Sequence, residues 1–185
     1  MVSPLHQAKR PVTMLAGPYG HPVHPLLVAL PIGAWGTSLI FDIASHVVPQ
    51  PGFLVQGSRW LIAAGVIGAV VAACAGFLDL MTLTPGTRAF RAAVLHMSLV
   101  LTATIGYVAG FAWRRGSYHH PAPVPAGPLA LSVLSLAVLS VGGYLGGKLV
   151  YRYGVRVADE GTQAQGHLTV TDWQTASMSG HPRQP

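Results

Sequence analysis

Four continuous apolar stretches dominate this chain, at 25–48, 60–80, 92–113 and 126–151. Each reaches the roughly 20 residues with which a helix crosses a hydrocarbon core of about 30 Å. From Trp60 to Leu78 there is no charged residue at all. The runs do not alternate polar with apolar, which excludes a strand barrel. Inside lipid, a lone segment satisfies its backbone polar groups only as a helix. Composition agrees. Charged residues make up 9% of the chain and hydrophobic ones 51%, against about 25% charged in a typical soluble domain. A water-soluble globule and a disordered chain are both excluded. The expected fold is an all-α membrane protein, a four-transmembrane-helix bundle. A polar segment (1–24) precedes the transmembrane domain (25–151), and a polar tail (152–185), low in large aliphatic residues, is expected to be largely disordered. No internal repeat is visible in the sequence.

An even number of spans puts both termini on one side. That side carries Lys9, Arg10, Arg88, Arg91, Lys148, Arg152, Arg156 and Arg183, and the other carries Arg59, Arg114 and Arg115. The excess of basic residues predicts a multi-pass protein of the cell membrane with both termini cytoplasmic. The net charge of +6 thus belongs to orientation and to anionic lipid rather than to nucleic acid. Residues 1–20 lack the apolar core and cleavage site of a signal peptide, so the first span is expected to stay as an anchor. Cys74 is the only cysteine, so no intrachain disulfide forms and no Cys-x-x-Cys-His haem attachment exists.

Small residues line several helix faces. At 100° per residue, Gly65, Gly68, Ala72, Gly76 and Asp79 fall on one stripe of the second span. The third span has Gly106 and Gly110, and the fourth has Gly142, Gly143, Gly146 and Gly147. Such faces let helices approach closely in a bundle. They also suit a flat cofactor or a homo-oligomer.

Ionisable groups at bilayer depth usually face the bundle interior. His24 opens the first span, just before Pro25 in its first turn. Asp42 lies 18 residues later, on the same face near the other end, and His46 follows it by one turn. A kink at Pro31 would disturb that alignment. His24, Asp79 and His96 all fall on the side of the termini, with Arg88, Arg91 and Lys148 around them. Two imidazoles from different helices, under a basic rim, fit the axial ligands of a haem b. Arg91 and its neighbours would then pair with the propionates. The same histidines with Asp79 could hold a divalent metal or relay protons. Plain hydrogen bonding within the bundle is a third reading. Asp42 and His46, with His119 and His120 from the long loop, form a weaker outer metal candidate. No nucleophile–base pair, phosphate loop or nucleotide fingerprint is present, so the expectation is a module without catalytic activity. It would be either a one-haem electron-transfer protein with a redox partner, or a structural subunit that docks another membrane protein.

The segment Gly20-His21-Pro22-Val23-His24-Pro25-Leu26-Leu27-Val28, with Pro31-Ile32-Gly33 and Asp42, resembles the opening of the domain-of-unknown-function 2231 family of bacterial membrane proteins. Gly76-Phe77-Leu78-Asp79, His96 and Gly143-Tyr144-Leu145-Gly146-Gly147-Lys148-Leu149-Val150-Tyr151 support the likeness, which covers roughly 19–157. The resemblance implies a four-helix membrane domain of unassigned function. In other members such a domain can sit beside electron-transfer modules of the Rieske iron–sulfur type. The fold it implies is distantly similar to membrane b-type cytochromes. This chain departs from their two-haem pattern, offering one histidine pair and no matched second pair on the outer side.

Overall fold

The computed structural model describes residues 3–114 and 122–167, and these form helices and connections with no strand among them. A short helix α1 (Pro4–Lys9) and a 3-10 turn (Met14–Ala16) precede α2 (His24–Leu27) and α3 (Ala29–Ala44), which together make the first span. The other spans are α4 (Gly52–Leu80), α5 (Arg88–Trp113) and α6 (Ala126–Tyr151), and α7 (Glu160–Gln165) follows. Four helices are therefore long and apolar enough to cross a membrane.

The helix ends have local causes. Pro31 has no N–H to give the Leu27 carbonyl, and its ring crowds that carbonyl. The first span breaks there, between α2 and α3. α3 stops at Ala44, short of the expected 48, where the Ser45 hydroxyl turns back to donate to the Asp42 carbonyl. α4 begins at Gly52, two turns before the expected 60, and Ser58 in those turns is fully buried. α5 begins at Arg88, where the Thr87 hydroxyl accepts the Phe90 N–H as an N-cap. The turn before it uses Gly86 at φ +82°.

Each hairpin, α3 with α4 and α5 with α6, is tightly packed within itself, and the two hairpins meet more sparsely. α3 and α5 are diagonal, so only their long side chains reach each other across the bundle axis. Three layers result. His24 faces His96, with ring centres 6.3 Å apart and planes at 89°. Trp35 stacks on Tyr107 at 4.2 Å and 9°. Asp42 pairs with Arg114 at 2.6 Å, with side chains 0% and 2% exposed. At 1.5 Å per residue, the outermost layers stand about 27 Å apart, close to the thickness of the apolar slab.

These layers expose a repeat that the sequence hides. In every pair the second residue follows the first by 72 positions: 24 and 96, 35 and 107, 42 and 114. The partners on α4 and α6 keep a spacing of 70. His24 and His96 bond the carbonyls of Ala72 and Gly142. Trp35 and Tyr107 bond those of Ile62 and Ser132. Asp42 bonds Ser58, and Arg114 bonds the Pro128 carbonyl. The bundle is two copies of one helical hairpin, related by a two-fold axis along its length, an arrangement known from parallel repeats in other membrane folds.

The chain after α6 is also not a free tail as far as it is described. Val155 and Arg156 are buried. The Arg156 N–H donates to the Ala8 carbonyl at 2.9 Å, and the Tyr19 hydroxyl donates to Asp159 at 2.7 Å. The arginine that sequence composition assigns to a solvated tail is the plug that joins both ends of the chain over the histidine end of the bundle.

Candidate functional site

The two histidines are held by the same device. Each Nδ1 lies against a mid-helix carbonyl: His24 on Ala72 at 2.8 Å, His96 on Gly142 at 2.7 Å. A carbonyl only accepts, so Nδ1 carries a proton; in the neutral ring Nε2 then keeps its lone pair. Neither Nε2 bonds a described residue. One turn after each acceptor stands a glycine. A Cβ at Gly76 would lie 2.8 Å from His24 Cε1, and one at Gly146 would lie 3.1 Å from His96 Cε1. The glycines are the slots into which the imidazoles lie flat.

This changes the meaning of the small-residue stripe on α4. Its glycines do not border open space for a macrocycle. Gly65 is filled by Trp35, Gly68 by Leu30 and Pro31, and Gly76 by His24. The stripe is the hairpin's own packing face. The looser seam lies between the hairpins, where the imidazoles meet.

Asp79 and Arg91, the other expected members of the site, fare differently. Asp79, three residues beyond Gly76, meets Arg156 Nε at 2.8 Å. Arg91 is exposed, as is Arg88. Position 91 is five residues before His96, about 140° round the helix, and so faces outward. Lys148 rests its ammonium 5.8 Å from the Tyr153 ring centre. The cation that meets Asp79 is Arg156. Its Nη2 donates to the carbonyls of Ala16 and Gly17, both at 2.9 Å.

Among the described residues the outer candidate does not assemble. Asp42 is taken by Arg114, which binds both its oxygens and also bonds Ser58 and Ser132. His46 is exposed and away from that network. His119 and His120 lie outside the described residues. Among the described residues no three His, Cys, Asp or Glu side chains converge to hold a metal ion. Asp79 in particular is engaged by Arg156. A signal for Arg114 existed in the spacing: it follows His96 by 18 residues, as Asp42 follows His24.

Fold and site define a small polytopic helical membrane protein with a histidine pair on its internal two-fold axis. The chain belongs to the DUF2231 family, described as "Predicted membrane protein", whose model matches residues 20–159. No curated protein and no solved structure matches it.

Proposed function

We propose that this protein binds one haem b between His24 and His96 and carries electrons in the cell membrane. The observation that carries the proposal is the spacing and hydrogen bonding of the two rings. Two metal–nitrogen bonds of about 2.0 Å end to end, with half a ring beyond each nitrogen, put ring centres roughly 6 Å apart. The imidazoles stand at 6.3 Å. Each also donates Nδ1–H to a carbonyl, the outer bond that fixes the tautomer of a metal-ligating histidine and raises its basicity. Among the described residues only two protein ligands converge, which favours a metal that brings its own equatorial donors over a four-coordinate zinc-type ion. An iron porphyrin with two axial histidines supplies one-electron transfer.

The remaining residues prepare the site. Gly76 and Gly146 hold the rings in place. The Trp35–Tyr107 stack fills the axis below them and keeps water from running through the bundle. Asp42–Arg114 closes the far end. The termini, and with them the site, face the cytoplasm in this reading, so the redox partner meets the protein on that face.

The test is an absorbance spectrum of the purified protein, oxidised and dithionite-reduced, after expression with ample haem. Sharp b-type bands are expected, lost in His24→Ala and His96→Ala and kept in His119→Ala and His120→Ala. A colourless wild type would refute the proposal and leave a structural subunit whose imidazoles only bridge helices.

A further inference from the structure

Arg156 has features that pairing with Asp79 does not explain. It is 3% exposed, yet its Nη1 has no acceptor. Its contact with Asp79 is short but poorly directed. Nε and Oδ1 stand 2.8 Å apart, and neither has a partner in hydrogen-bond geometry. The other buried arginine, Arg114, shows the contrast, because it grips Asp42 through two well-formed bonds. Arg156 also sits at φ +61°, the left-handed region that side chains rarely adopt. Such a conformation persists only where the surroundings over-determine it. Here the chain keeps an arginine where Gly154, two residues earlier, shows glycine available for the same region. A buried guanidinium with open donors is a site for an oxygen anion.

Its location says which anion. Gly76 packs on the His24 ring, and Asp79, which touches Arg156, is three residues further along α4. The guanidinium therefore lies about one helical turn, roughly 5 Å, beyond the imidazole layer toward the membrane surface. That is the side on which a cofactor held between the rings would place its charged edge. The sequence led to Arg88, Arg91 and Lys148 for this role; the two arginines are exposed, and Lys148 rests against the Tyr153 ring. We infer that Arg156 Nη1 anchors a carboxylate of the bound cofactor, the propionate of the haem held by His24 and His96. The inference rests on the haem reading. Arg156 serves two carboxylates, Asp79 on its Nε side and the propionate at Nη1, while Nη2 ties it to the N-terminal segment.

The test compares haem b with its dimethyl ester, which has the same iron and ring and no propionate charge. Full-length apoprotein in detergent is titrated with each, and the Soret band gives Kd. Wild type should bind the free acid about tenfold more tightly than the ester, the scale of one charge-assisted bond. Arg156→Gln should bind the two equally, and Arg156→Lys should keep part of the preference. Where Arg156→Gln fails to fold, the wild-type ratio and Arg156→Lys still decide. Equal affinity of the wild type for acid and ester, or a full preference retained by Arg156→Gln, overturns the carboxylate anchor while the haem site stands. No Soret shift with either compound overturns the haem reading itself.

Discussion

The charge pair at the far end of the bundle gives the sharpest test of the two-fold architecture. Asp42 and Arg114 are 0% and 2% exposed, and each carboxylate oxygen receives a guanidinium N–H, at 2.7 and 2.6 Å. Ser58, Ser132 and the Pro128 carbonyl complete the shell. Asp42→Asn leaves the guanidinium charged, buried and without a counter-ion. Breaking one side of such a pair costs about 3–5 kcal/mol. For a chain of this length a kilocalorie moves the melting temperature by about 2–4 °C, so the single change should lower Tm by roughly 6–20 °C. Replacing both residues with leucine removes the uncompensated charge. It leaves two hydroxyls short of a partner, at about 1–3 kcal/mol each, against the gain of about 1–4 kcal/mol that replacing a buried ion pair by apolar groups can bring, so Tm should recover most of the loss. Exchanging the charges, Asp42→Arg with Arg114→Asp, tests the two-fold directly. The exchanged pair should recover part of the loss, because the Pro128 carbonyl faces position 114 as an acceptor and opposes a carboxylate there. Melting in detergent, followed by circular dichroism, reads all three. A wild-type-like Tm for Asp42→Asn alone would refute the claim that this pair locks the hairpins together.

Three further outcomes are expected. Gly76→Ala drives a methyl carbon to 2.8 Å from the His24 ring and Gly146→Ala to 3.1 Å from His96; both should lower Tm, by about 1–3 kcal/mol of stability, with Gly76→Ala the worse, whereas Gly143→Ala, with nothing within 4 Å, should be silent. At the capped end, the Tyr19 hydroxyl, then the Thr162 N–H, hold the Asp159 carboxyl down at about 2. Its contribution to docking the C-terminal segment is therefore complete above about pH 4 and is lost as the pH falls through about 2. Tyr19→Phe should move that loss up toward pH 4, seen as earlier protease cleavage after residue 159 in an acid titration with pepsin; an unchanged profile would show that the bond does not hold the segment. A fluorescent protein fused to the C-terminus should be bright in the cytoplasm, and a dark fusion would reverse the assigned orientation.

The four spans were legible because a lipid-crossing backbone has no alternative to a long apolar helix, and the α6 bounds at Ala126 and Tyr151 coincide with the expected ones. The histidine pair was legible as well, since depth follows from counting along each span. What the residues concealed was pairing. Arg114 and Arg156 sit at span edges, where arginines normally meet headgroups, and only three-dimensional packing turns them to Asp42 and Asp79. The repeat was hidden for a related reason. Residues that touch across a two-fold axis need complementary partners, so the copies carry Asp opposite Arg and Trp opposite Tyr. Comparing identities finds only scattered matches, His24 with His96, Leu27 with Leu99, Val28 with Val100, Gly57 with Gly127, Leu61 with Leu131, Val71 with Val141 and Gly76 with Gly146.

Arg156 also sets an order of assembly. It is the strand of chain that ties Ala8, Ala16, Gly17 and Asp79 together, and it follows the last span. A ribosome delivers the chain from its N-terminus, so both hairpins can insert and pair before this fastening arrives. Until then the histidine end of the bundle lacks this tie between Asp79 and the N-terminal segment. On the proposed haem reading, the cofactor would load most easily in this interval, and its release would require the closing segment to lift away.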